Sequence, residues 1–187
     1  MFTASPDAPR TPGPDHPPEE SPMTDPTDER ADQRSPDCRP TDHVTLRIPL
    51  THPEVPSECV WAVPLGEDRY QIANVPFLVH HVGLGDVVVA AEVTPGELEL
   101  VEVIQRVHVA SFTYELNRHI DAADFVDRAR SIGIATEGMA GRLFASNAAD
   151  HDAANRLEGM LTEDAEWFER FTPDGELLRS HGDVFDA

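Results

Sequence analysis

The stretch NVPFLVHHVGLGDVVVA, Asn74 to Ala90, decides how the chain is read, because it carries a chemical and a structural reading side by side. His80 and His81 beside Asp86 have the residue types of a metal or acid/base centre. The Gly85-Asp86 pair ahead of three valines instead has the form of a turn feeding a buried strand. The structural reading explains more. Pro76 biases Val75 toward extended backbone, Gly83 and Gly85 supply turn conformations, and Asp86 can accept hydrogen bonds from loop N–H groups. Adjacent histidines on extended backbone point opposite ways, so at most one joins a given site, and no H-x-x-x-H or C-x-x-C spacing lies nearby. No metal site and no cofactor is therefore expected, and the two histidines read as a solvated loop pair. Asn74, Phe77, His80 and Asp86 remain as candidate binding residues.

Upstream, Val44, Leu46, Ile48 and Leu50 alternate with Thr45, Arg47 and Pro49, the period of a strand with one buried face. Pro49 argues for an edge position. Short strands are predicted at Cys59–Val63, Arg69–Ile72, Asp86–Ala91 and Leu98 to about Ile104. Leu65-Gly66-Glu67-Asp68 and Thr94-Pro95-Gly96 read as turns between them. This spacing predicts a small β-barrel-like unit over residues 44–105.

Downstream the pattern becomes strand, helix, strand, helix, strand. Val107–Leu116 reads as the first strand. Asp121 then reads as an N-cap, with Ile120 placed to staple against Phe125 and Gly133 to stop the helix. Phe125, Ala129 and Ile132 form its apolar side. Ile134 to Ser146 reads as a strand or hairpin around Gly138 and Gly141. Asn147 is expected to open a second helix in which Ala153, Leu157, Met160 and Leu161 recur at helical spacing. Trp167, Phe168 and Phe171 mark a closing strand. The expectation is an α+β fold, with a ferredoxin-like βαβαβ unit over 106–174 and a tail over 175–187.

From Trp61 to Ala90 the sequence resembles a bacterial family called domain of unknown function 4265. The matching features are a strand with Trp61, a short turn at Gly66, a strand with Tyr70, an element with Asn74, Pro76 and Phe77, and the strand start Gly85-Asp86-Val87-Val88. The resemblance covers about Val44 to Phe171 and implies fold boundaries there. The family carries no established activity, so the resemblance implies no mechanism.

Charge narrows the function classes. The 187 residues carry 35 acidic and 14 basic side chains for a formal charge of −21, and every basic residue is Arg. Duplex binding relies on clustered Lys and Arg displacing counterions, and no such cluster occurs, so nucleic acid is not an expected partner. The acidity suits either solubility in a salty cytoplasm or a partner with a basic surface. Residues 1–42 hold ten of the 17 prolines and ten acidic residues with few large apolar side chains, which predicts a disordered arm. Met23 offers a second start within it. Cys38 in that arm and Cys59 make a poor disulfide framework, and the first residues lack a secretory pattern, so a cytoplasmic location is expected. No run approaches the roughly 20 apolar residues of a membrane helix.

Other constellations give way to simpler readings. Cys59 could serve as a nucleophile with His80 or His108, but a Cys within an apolar strand reads as a small buried hydrophobe. Glu97, Glu99 and Glu102 read as a solvated strand face, and Trp167, Phe168 and Phe171 as core alternating with surface. No G-x-S-x-G, G-x-G-x-x-G or Walker-type loop is present. The expected function is a non-enzymatic protein-binding or regulatory module with an acidic surface. Two alternatives stay open: a small-molecule sensor with a pocket between the two predicted units, and an enzyme using Cys59 or His80 with Asp86.

Overall fold

Alternating apolar residues build both sheets of the protein, a computed structural model of which describes residues 43–139 and 141–182. The expected arm of residues 1–42, with Cys38 and Met23, lies outside the described residues, as does the end of the expected tail. Within them the fold is α+β, with two five-stranded sheets and two helices.

The first sheet contains β1 (Val44–Pro49), β2 (Ser57–Gly66), β3 (Arg69–Ile72), β4 (Val87–Thr94) and β5 (Glu97–Gln105). Each strand pairs antiparallel with the next. Five strands so arranged leave the first and last running the same way, so the seam that closes the sheet is parallel, with Leu46 opposite Leu98 and Arg47 opposite Glu99. Leu46, Ile48, Val60, Ala62, Ile72, Val88 and Ala90 turn inward and pack with Val79 and Val82 from the β3–β4 connection. Outside, the Arg47 guanidinium spans the seam to Glu97 at 2.8 Å and Glu99 at 2.5 Å.

Pro49 does not mark an edge, because β1 pairs on both sides. It occupies the last position of β1, opposite Ser57 and beyond the residues that meet β5, where its missing N–H interrupts no seam bond. The β2–β3 turn is two residues long. Glu67 and Asp68 both take positive φ, 54° and 59°, the twist that a tight hairpin between right-twisted strands needs.

The second sheet contains β6 (Ala110–Leu116), β7 (Ile134–Gly138), β8 (Leu143–Ala148), β9 (Ala165–Phe171) and β10 (Leu177–His181), with α1 (Ala122–Ser131) and α2 (His151–Asp164) between them. The spatial order is β10-β9-β6-β8-β7, antiparallel throughout. Asp121 caps α1 as its sequence predicts, accepting from the N–H groups of Ala123 and Asp124 at 2.9 and 3.1 Å. The second cap is Asp150 rather than Asn147. Asp150 accepts from Ala153 N at 2.7 Å, while Asn147 is a buried residue of β8. Residues 106–109 connect the two sheets and do not begin β6. β10 occupies a segment whose sequence reads as tail.

Ala110, Phe112, Tyr114 and Leu116 of β6 face both helices and pack with Phe125, Ala129, Leu157, Leu161, Phe144 and Phe168. The buried Tyr114 hydroxyl is satisfied by Ser146 Oγ at 3.0 Å. Burying about a dozen such side chains at roughly 1.5–3 kcal/mol each makes this face the larger store of stability. The opposite face carries no helix. Strand register places Ser111, Thr113 and Glu115 there, with Phe171, Glu169 and Trp167 of β9 and Asn147, Ala145 and Leu143 of β8.

Candidate functional site

The helix-free face is where the candidate residues gather. Residues 73–86 leave β3, run along this face and return to start β4. The ends of the segment are tied together by Gly85 N to Ile72 O and Ile72 N to Asp86 O, both 2.9 Å. An irregular segment laid on a sheet must find partners for its backbone groups, since an unpaired buried N–H costs about 1–3 kcal/mol. Side chains supply many of those partners. The Glu58 carboxylate on β2 accepts three consecutive amides, Phe77 at 2.7 Å, Leu78 at 2.9 Å and Val79 at 3.0 Å. From the second sheet, Glu137 accepts Val75 N at 3.0 Å and Asn147 accepts Leu84 N at 2.8 Å. Ser111 and Thr113 donate their hydroxyls to the carbonyls of His80 and Phe77 at 3.3 and 3.4 Å. The segment acts as a strap that fastens the first sheet to the second.

Each sequence-predicted residue has a place in this strap. Asn74 accepts the N–H of Trp61 at 2.6 Å and so holds the strap's start against β2. Phe77 is half-buried and contributes the backbone contacts to Glu58 and Thr113. His80 is not a solvated loop residue. Its ring lies flat on Phe171, centroids 3.6 Å apart and planes 8° from parallel. Burial, with the adjacent His81 adding to it, lowers its pKa to about 4, so the stacked ring is neutral near pH 7.

Asp86 is fully buried and joins the strap to the 106–109 connection. Oδ1 accepts Val107 N at 2.7 Å, and Oδ2 accepts Gly83 N at 3.0 Å. His108 Nδ1 stands 2.8 Å from Oδ2 without the alignment of a directional hydrogen bond, and its Nε2 has no hydrogen-bond partner among the described residues. Burial pushes the Asp86 carboxyl up, but His108 and the amides of Val107 and Gly83 outweigh it and hold the group below its ordinary value. The His108 ring packs so close to Gly83 that a Cβ there would meet it at 2.5 Å, which is why that position has no side chain. Arg106 completes the junction by donating to His81 O at 2.9 Å and to Pro173 O.

Cys59 is exposed on β2, not buried as its apolar neighbours suggest. The polar partners of Asp86 are two loop amides and His108, with neither Cys59 nor His80 among them. The important side chains that sequence reasoning passes over are Glu58 and Glu137, while Asn147 and His108 are read there for other roles, a helix opening and a base beside Cys59. Asn147 has a residue type that favours helix openings, which hides its place in β8, and the two glutamates carry no local signal of their task.

Beyond the strap the helix-free face is acidic. Trp167 Nε1 donates to Glu115 at 3.3 Å, and Glu169 makes no hydrogen bond or ion pair with the described residues although burial raises its pKa. A recess of about 250 Å³ lies between the strap, α1 and β7, lined by Val75, Leu84, Val126, Arg130, Ile134 and Glu137 among others. Among the described residues no group of three or more His, Cys, Asp or Glu could hold a metal ion, and no helix is long and apolar enough to cross a membrane.

Fold and face together define an α+β protein whose two sheets are joined by a hydrogen-bonded strap. The chain belongs to the family described as domain of unknown function (DUF4265), whose model matches residues 58–169 and so includes the whole strap. Comparison with curated proteins returns no match. A solved structure described as a novel crystal structure of a hypothetical protein from Neisseria gonorrhoeae is similar, with a TM-score of 0.55 and 13% identity over 64% of this chain and 84% of that one. At that identity the likeness speaks for the fold alone.

Proposed function

We propose that the protein is a non-enzymatic cytoplasmic binding module, a small β-barrel strapped to a ferredoxin-like α+β unit, which engages a partner with a basic surface through the exposed part of its helix-free face. Glu169 carries this reading. A half-buried carboxylate that lacks a cation among the described residues holds a desolvated charge that an incoming Arg or Lys would relieve. Glu115 and Trp167 beside it offer a second carboxylate and an aromatic surface suited to a guanidinium. In this reading Asn74, Phe77, His80 and Asp86 support the strap and do not touch the partner. The sensor reading ranks behind it, because the recess beside the strap is smaller than the roughly 300–1,000 Å³ of most small-molecule sites. The enzyme reading ranks last, since Asp86 is enclosed and its polar partners are loop amides and His108.

The test uses nonaarginine as a probe, titrated against the full chain at low and high salt. Binding should weaken steeply with salt, and Glu169→Gln should weaken it about fivefold or more, the loss expected for one charge-assisted contact. Glu102→Gln, on an exposed position of β5, serves as the control. Equal losses from the two variants would remove the helix-free face as the binding site.

A further inference from the structure

We draw no further inference here: the strongest candidate, the recess along the edge strand β7 between the strap and α1, has apolar walls from Val75, Leu84, Val126 and Ile134, but its Arg130 is already paired with Asp127 and its Glu137 with the strap, so nothing in the structure shows what covers it.

Discussion

The two faces of the second sheet are covered by different physics. On one face the helices bury Phe112, Tyr114, Phe125, Phe144 and Phe168 against each other, and cohesion comes from apolar area and close packing. On the other face a strap is fixed by backbone amides bound to Glu58, Glu137, Asn147 and Asp86 and by one flat ring stack. The first arrangement tolerates no loss of volume, and the second no loss of an acceptor. This contrast explains how a stretch rich in His, Asp, Asn and Gly can be structural: an irregular segment on a sheet needs side-chain acceptors wherever strand partners are absent.

Truncating each face at its centre gives the largest expected effects. Phe168→Ala should cost about 3–5 kcal/mol in urea unfolding, from lost burial and the cavity left behind. Asp86→Ala removes little apolar volume, yet it orphans the amides of Gly83 and Val107 and the His108 ring, and should cost about 2–4 kcal/mol. A cost for Asp86→Ala below about 0.5 kcal/mol, the level of an ordinary surface substitution, would break the comparison, because the strap would then be held by something else.

A smaller effect separates the faces by pH. His80 is favoured in its neutral form when folded, so between its ordinary value of 6.5 and its folded value of about 4 the native state binds fewer protons than the unfolded chain. Stability should therefore fall as pH drops through that window, by up to about 2–3 kcal/mol. Asp86 titrates lower. Its depressed carboxyl contributes stability above its ordinary value of 3.8 that is lost only as pH falls further. His80→Phe should keep the stack on Phe171 and flatten the profile between pH 6.5 and 4. Thermal melts of the two proteins across that range check it, and parallel profiles would show that the stacked ring is not the titrating group.

Much of the helix-covered face was legible in the sequence. Asp121 declared its cap, and Phe125, Leu157 and Leu161 declared their buried sides through helical spacing, because these signals are local. What escaped depends on distant partners. The parallel seam between β1 and β5 joins residues some fifty positions apart, so Pro49 alone pointed to an edge. Asn147 looked like a helix opener because its buried role, accepting Leu84 N, is set by a segment sixty residues away. Cys59 sits among apolar neighbours yet turns outward on β2, and β10 lacks the β-branched residues that announce a strand. Of the candidate site, the residue types of the strap were legible and their task was not, since a carboxylate that accepts loop amides and one that accepts a substrate proton look alike in one dimension.

Hydrogen exchange of individual amides tests the strap most directly, and its effect is the smallest perturbation of the molecule. If residues 73–86 are fastened as part of the fold, the amides of Val75, Phe77, Leu78, Val79, Gly83 and Leu84 open only with the sheet. Their opening free energies should then match those of β6 amides such as Tyr114 to within about 1 kcal/mol, even at the exposed Leu78. Exchange of these six amides at the rate of an open loop, while β6 stays protected, would contradict the account.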